Sequence, residues 1–295
     1  AVLNMPFEAS EKYSSAKDYS TSANHGKVFG NPTWLKTGGH DGFGAYQFNG
    51  MSDYIDVPDS PSIDGGNTSM SISLWIKTTD TYGWVLNKRI SNMGFSYNLS
   101  PGWGGTSLFW FLDGTDPDYS QYSYASKDVT DGQWHHVVGV LNREENTIRT
   151  YVDGQDTSNP VRSVPNLGSI DTARPLQIGN VNDGGFDGMI DDLQIYNRAL
   201  SKEQILLLYQ KKTENISKKE INGGELWSAC VIPNDGFEDG NSACAQPVSF
   251  TLNHAPTQDA PLLTVENENL LVSPQNMQDL DNDPVKPITD WQLKN

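Results

Sequence analysis

The chain has 295 residues, 36% of them hydrophobic and 10% aromatic, which is enough for two or three domains with real cores and excludes a disordered polymer. Its 37 acidic against 20 basic residues leave a net charge of -17, so phosphate backbones and anionic lipid surfaces are repelled and nucleic acid is not an expected partner. No apolar run approaches the roughly 18 to 20 residues that span a bilayer, and no basic segment followed by an apolar core opens the chain, so membrane insertion is not expected either.

From about residue 45 to 197 short alternating segments follow one another between Gly, Asn, Asp and Pro turns: "AYQFNG", "DYIDVP", "SMSISLWIKT", "GWVLNK", "FSYNLS", "SLFWFLD", "QWHHVVGVLN", "TIRTYVDG", "PLQIGN" and "GMIDDLQIYN". This spacing predicts an all-β sandwich or jelly roll in which each strand buries one face. In "SISLWIKT", Ile72, Leu74 and Ile76 share one face and Trp75 takes the other. In "QWHHVVGVL", Trp134, His136, Val138 and Val140 oppose His135, Val137 and Leu141, as in a central strand covered on both sides. Adjacent histidines on opposite faces cannot share one ligand, so His135 and His136 read as structural.

One helix stands out, "SKEQILLLYQKK", with Ser201 as N-cap, Gln204 at the capping-box position, and Lys211 and Lys212 expected in its last turn. Beyond about 214 the composition shifts through a polar linker to a hairpin, "LWSACVI" and "CAQPVSFTL" around the turn "PNDGFEDGNS". The two cysteines, Cys230 and Cys244, suit a local disulfide in an oxidising compartment, closing a loop worth about 3 kcal/mol in the chain-entropy model. Low lysine content and sequons at Asn67, Asn98 and Asn215 point the same way, to an extracellular or cell-surface glycoprotein. The final "DPVKPITDWQLKN" reads as a strand begun and not completed, with Ile288, Trp291 and Leu293 among polar neighbours.

Seven motifs in order, "PFEAS", "KDYSTSANHGKV", "GFGAYQFNGMSDYIDV", "SISLWIKT", "DGQWHHVVGV", "YVDGQ" and "FDGMIDDLQIYNRALSKEQI", resemble the laminin G-like, concanavalin A-like jelly roll of secreted proteins. The expected fold class is therefore all-β, a jelly-roll sandwich over 1–213. The remainder resembles an immunoglobulin-like repeat in permuted order, its C-terminal half over 214–253 and its N-terminal half over 254–295. The resemblance implies an inter-sheet disulfide, but Ser273 stands where the early-strand cysteine belongs, leaving Cys244 as partner of Cys230. If the closing strand is completed by the "AVLNMPF" of another copy, the halves join head-to-tail and generate a filament; the alternatives are a repeat within a tandem polyprotein and a permuted sandwich with free ends.

The jelly roll carries lectins, enzymes, adhesion modules and spacers, so activity has to be read from sites. Glycoside hydrolases of this fold need paired carboxylates on a strand, yet no glutamate occurs between Lys12 and Arg143 or between Asn146 and Lys202. The aspartates lie mainly in turns, so a non-enzyme is expected. The family resemblance implies a structural calcium site where the N-terminal loop meets the "I-D-D-L" carboxylate. Carried onto this chain it names Asp191, with Glu8 and Asp18 as helpers. Asp191 is expected on the face of Leu193 and Ile195, where an inward carboxylate needs a cation or hydrogen-bond donors. "QDLDNDP", with Asp279, Asp281 and Asp283, lacks the Gly and Glu of a calcium loop and reads as a solvated turn. For glycans the candidates are Tyr82, Trp84, Trp103, Tyr119 and Tyr122, with Trp110 and Tyr124 nearby, because flat amphipathic rings stack on sugars; the competing reading is that these rings are core. Trp103, flanked by glycines in "SPGWGG", is the first choice. Two functions compete: a structural subunit partnered by other copies of itself, and a calcium-stabilised carbohydrate-binding module or adhesin.

Overall fold

A computed structural model describes residues 1–8, 15–88, 96–102, 107–113, 120–179, 184–235, 238–249, 257–266 and 269–278. Two antiparallel sheets form the jelly roll expected from the alternation. The first runs Gln155–Asp156, Thr147–Val152, Trp134–Asn142, Met70–Thr78, Asp187–Tyr196, Ala45–Asn49 and Thr33–Leu35, with Leu3–Met5 along Asp187–Tyr196 and Arg162–Ser163 along Thr147–Val152. The second runs Ser120–Asp128, Ser107–Asp113, Tyr97–Ser100, Leu86–Asn87, Leu176–Ile178, Tyr54–Val57, Gly26–Phe29 and Ser15–Ala16. The first is called below the nine-stranded sheet and the second the eight-stranded sheet.

The core lies between them. Ile72, Leu74 and Ile76 from one sheet meet Ile55, Leu86, Tyr97, Leu99 and Ile178 from the other, all fully buried. Trp134–Asn142 is central, paired with Met70–Thr78 and Thr147–Val152. Its Val137 and Leu141 face the main core, while Val138 and Val140 join Tyr151, Tyr196, Leu200, Ile205 and Leu208 in a second core beneath the helix. Both faces are covered, as the double apolar pattern predicts.

The helix spans Lys202–Tyr209, and the Ser201 side chain accepts from the Gln204 backbone N–H. The expected capping box is half made. Gln204 turns its carbonyl oxygen to the Ser217 N–H at 2.8 Å, and the Ser201 N–H goes instead to Glu220 at 2.7 Å. Lys211 and Lys212 lie beyond the last turn, which holds no basic residue. Lys88, fully buried, ties the rim of the eight-stranded sheet together: its ammonium donates to Asp59 at 2.6 Å and to the Thr172 and Arg174 carbonyls at 2.7 and 2.8 Å, and pairs with Asp64 at 2.7 Å.

Two compact units result, Ala1–Glu220 with Cys230–Cys244, and Ile221–Ala229 with Ala245–Asn295. Cys230 and Cys244 are disulfide-bonded. Their hairpin groups with the jelly roll, where Tyr19 donates to Asp239 at 2.8 Å and Lys17 pairs with the same carboxylate. The boundary expected at 213/214 is therefore crossed by one returning segment. In the second unit Leu226–Trp227 pairs with Val248–Ser249, and Thr257–Glu266 with Asn269–Gln278. These are two separate two-stranded sheets, and no immunoglobulin-like sandwich is formed among the described residues. Asp279, Asp281, Asp283 and the closing strand motif lie outside the described residues.

Candidate functional site

Asp191 sits in Asp187–Tyr196, and the register around it differs from simple alternation. Asp191 pairs with Trp75, but the next pair is Gln194 with Ser73, so the strand bulges at 191–194, with Asp192 at φ 47°. The extra residue resets the faces. Leu193 and Ile195 stay in the core, whereas Asp191 shares the side of Trp75, away from the inter-sheet core. The expectation that Asp191 points inward beside Leu193 and Ile195 is thus corrected by one bulged residue.

Asp191 is nonetheless 0% exposed, because the loop around Gly39 and Gly44 closes over it. A Cβ on Gly39 would come within 2.6 Å of the Asp191 Oδ2, and one on Gly44 within 2.2 Å of the Phe7 carbonyl. The two Asp191 oxygens accept from the backbone N–H groups of Asp192 at 2.8 Å and His40 at 3.0 Å. The bulge turns Asp192 onto His40 Nε2 at 2.8 Å, and the His40 ring stacks on Trp75 with centroids 4.0 Å apart. Burial first, and then the charge of Asp192, pushes the Asp191 pKa up to about 9. Burial likewise pushes Glu8 up to about 7, partly offset by the Gly44 N–H it accepts at 2.9 Å. Glu8 opens onto a cavity it lines with Lys36, Asp41 and Phe43.

Asp191 and Glu8 are therefore brought together, and Asp18 is not. Asp18 takes the N–H groups of Asn4, Ser20 and Asn24 and the Ser20 hydroxyl at 2.7–2.8 Å, which makes it the anchor of its own turn. Among the described residues no three His, Cys, Asp or Glu side chains converge to hold a metal ion. Asp191 Oδ1, Asp191 Oδ2 and Glu8 Oε2 each accept one N–H, and these two carboxylates alone supply fewer than the six to eight oxygens that a calcium ion takes. His136 bonds Ser73 at 2.9 Å and is pushed down to about 3 by burial, so it is neutral; His135 lies between Asp153 at 2.9 Å and Asp131 at 3.1 Å. Both are structural, as expected from their alternation.

The outer face of the eight-stranded sheet has a different chemistry. Residues directly opposite in adjacent strands share a face. One such row reads Lys27, Asp56, Gln177, Asn87 and Asn98, and the register carries it across strand position 111 to Tyr122. Gln177 donates to Asp56 at 3.3 Å. At the far edge Trp84, 7% exposed, packs with the half-buried Tyr122 and Tyr124 apart from the main core. The two tyrosines meet edge to face at 5.1 Å, and the Arg162 guanidinium lies over Tyr122 at 4.9 Å. Within this row the side-chain amide of Asn98, 0% exposed, has no hydrogen-bond partner, and neither has the hydroxyl of buried Ser96 two residues before it.

Of the expected glycan residues, Trp84 and Tyr122 come together, and Tyr82, 60% exposed, stands apart from that cluster. Trp103 and Tyr119 lie outside the described residues, as does the Trp110 side chain. Of the sequons, Asn67 and Asn215 are exposed, whereas Asn98 is sealed within a strand and corrects the expectation of an accessible acceptor. Arg162, Asn87, Gln177 and Ser96 were not foreseen. Strict alternation with the core residues Tyr97 and Leu99 is the one signal that could have found Ser96.

Comparison with known proteins agrees with this fold. Residues 48–206 match the family model of the concanavalin A-like lectin/glucanases superfamily, more than half of the chain. A non-toxic nonhemagglutinin from Paraclostridium bifermentans is 24% identical over 179 residues, 59% of this chain but 15% of that protein. The chain thus spans a small part of the length of this relative. The binding domain of Paraclostridial Mosquitocidal Protein 1 superposes with a TM-score of 0.57 at 18% identity, covering 77% of this chain and 60% of that one. Domain 4 of AbnA, an extracellular arabinanase from Geobacillus stearothermophilus solved with arabinotriose, superposes at 0.53 and 22% identity, covering 71% and 98%. At these identities the structures speak for the fold, and with the family match over 48–206 the chain belongs to the concanavalin A-like lectin/glucanases superfamily.

Proposed function

We propose that this chain is a non-catalytic extracellular binding module whose ligand is a glycan, held on the outer face of the eight-stranded sheet. One observation carries the reading: that face combines the half-buried polar side chains of Asp56 and Gln177 with, at its far edge, the Trp84, Tyr122 and Tyr124 rings and the Arg162 guanidinium. Rings for the apolar face of a sugar and amides for its hydroxyls are the two elements that sugar recognition needs. The structures it resembles include a toxin's binding domain and an arabinanase domain solved with a trisaccharide, which supports a binding role for this fold. Titration of the purified chain against a glycan array should give saturable binding by a monomer, weakened by Tyr122→Ala, with no release of reducing sugar. A folded chain that binds nothing on the array, or that cleaves what it binds, overturns the proposal.

A second reading, a head-to-tail fibre subunit joined by strand complementation, rests on the hairpin Thr257–Glu266 and Asn269–Gln278. Each strand has ten residues, and among the described residues no third strand pairs with either. An isolated hairpin is marginally stable in water and leaves two open edges for another copy. Electron microscopy of concentrated protein should show regular filaments under this reading and dispersed particles under the first.

A further inference from the structure

Val140 stands opposite Arg149, and Val138 opposite Tyr151, on the outer face of the nine-stranded sheet. The helix Lys202–Tyr209 covers this face through Ile205 and Leu208, yet where the chain enters the helix a cavity of about 450 Å³ is left between the sheet, Leu200–Lys202 and the turn at Lys218–Glu220. That is the size of a pocket for a small molecule. Tyr151 lines it in an unusual state. Its ring, 3% exposed, belongs to the core beneath the helix, but its hydroxyl makes no hydrogen bond among the described residues. Buried polar groups in folded proteins are paired almost without exception, so this hydroxyl calls for a partner from the cavity. Burial, and after it the charge of Asp156, pushes its pKa up to about 12, so it keeps its proton; Arg149 and Glu145, which also act on it, line the same cavity. The charges around the cavity are of both signs. Glu220 is committed to Arg198 and to the Ser201 N–H at 2.7 Å, and Arg149 to Asp156 at 2.9 Å. Glu145 and Lys219 make no ion pair among the described residues. Lys202 adds a cation at the first turn of the helix, where the backbone dipole favours negative charge.

We infer that this cavity takes a small zwitterion, a free aliphatic α-amino acid, with its carboxylate toward Lys202 and Lys219 and its ammonium toward Glu145. The side chain of the amino acid lies against Val140, Ala199 and Leu200, which give the cavity an aliphatic wall. The Tyr151 hydroxyl, at once donor and acceptor, gains its missing partner from the bound molecule. A simple anion is disfavoured, because the net charge of -17 repels it and Glu145 stands in its way. A simple cation meets Lys202 and Lys219. A molecule that carries both charges is held locally by each and is indifferent to the field of the whole chain. This site is separate from the glycan face and does not rest on the glycan reading.

The test is calorimetric titration of the full chain with L-leucine, with 4-methylpentanoate, which lacks the ammonium, with 3-methylbutylamine, which lacks the carboxylate, and with glycine, which lacks the side chain. Saturable one-to-one binding of leucine is expected, with each of the other three about tenfold weaker or more. Either single-charge analogue binding as tightly as leucine overturns the zwitterion, and glycine doing so overturns the aliphatic wall. A folded chain that does not bind leucine overturns the inference as a whole. Tyr151→Phe removes the hydroxyl and keeps the ring, so leucine should bind severalfold more weakly while the thermal midpoint stays or rises. Glu145→Gln, in an exposed turn where folding is not at stake, should weaken leucine about tenfold without weakening 4-methylpentanoate. Unchanged leucine affinity in either variant overturns the role assigned to that residue, and in both it overturns the site.

Discussion

The two sheets of the sandwich share one core and treat their outer faces in opposite ways. The nine-stranded sheet presents Trp75, Val138, Val140, Tyr151 and Tyr196 outward and covers them with the chain's own helix, Lys202–Tyr209, through Ile205 and Leu208. Trp75 is closed from both ends, by His40 at 4.0 Å and by Tyr209 at 5.8 Å. The eight-stranded sheet presents Lys27, Asp56, Gln177, Asn87 and Asn98, and no helix among the described residues lies on it. An apolar outer face has to be buried by something, and here a short helix does it. The open part of this polar face, Lys27, Asp56 and Gln177, gains nothing from such a lid, and under the proposed function this face is the one that receives the glycan. The difference predicts that changes under the helix of the nine-stranded sheet alter stability and leave glycan binding alone, whereas changes that disturb the eight-stranded sheet reach glycan binding, and the expected outcomes below are ways to break that division.

The largest effect is expected from Lys88→Met. It removes the buried ammonium that holds Asp59, Asp64 and the Thr172 and Arg174 carbonyls, leaving Asp64 buried without its cation. Breaking such a pair costs about 3 kcal/mol or more, at the low end here because Asp59 can rehydrate. Urea denaturation followed by tryptophan fluorescence measures it. Because Lys88 follows Asn87 directly, glycan binding should fall along with stability; a stable variant with unchanged binding would mean that the polar face does not depend on its rim.

Ile205→Ala is next. Ile205 is fully buried against the outer face of the nine-stranded sheet, and truncation there should cost about 2 kcal/mol, the lower end for an aliphatic residue under a surface helix. Glycan affinity should be unchanged. A matching loss of affinity would show that the helix side takes part in recognition and would end the division of labour.

How much of this was legible depends on whether a feature is local. Alternation in "SISLWIKT" and "WHHVVGVL" fixes which side chains face the core, and the pairing of Ile72 with Gly139 and of Trp75 with His136 follows that pattern. The Ser201 cap was legible because it needs only three residues. The face of Asp191 was not, because a single left-handed residue at Asp192 reverses it and nothing in "IDDLQ" marks that residue as glycine would. Lys88 was invisible for another reason: its four oxygens come from residues 59, 64, 172 and 174, which only the topology assembles. Asp18 could have been read correctly, since Asp-x-Ser ahead of a turn is an Asx signal. Asn98 matched a sequon, and a three-residue motif carries no information on burial.

The smallest effect concerns the sealed carboxylate itself. In the unfolded chain Asp191 titrates near 4, while burial raises it to about 9 in the fold, and Glu8 shifts the same way to about 7. A folded state that holds protons more tightly than the unfolded one is most stable below the unfolded pKa and loses that stability as pH rises through the folded values. Asp191 and Glu8 therefore favour the fold at pH 5 over pH 8, whereas neutral, buried His136 opposes them on the acid side by resisting the proton that the unfolded chain takes up. The clean measure is a difference. Asp191→Asn, poorer in absolute stability because its amide faces an N–H, should lose less between pH 5 and pH 8 than wild type does, by on the order of 1 kcal/mol once relaxation of the loop is allowed for. Equal slopes would mean that Asp191 is ionised in the fold. Calcium then becomes the informative addition. If it raises the wild-type midpoint at pH 8 and leaves that of Asp191→Asn alone, a cation relieves the charge that a proton relieves at pH 5, and the acidic corner closes around metal; if neither midpoint moves, the proton alone keeps this face shut.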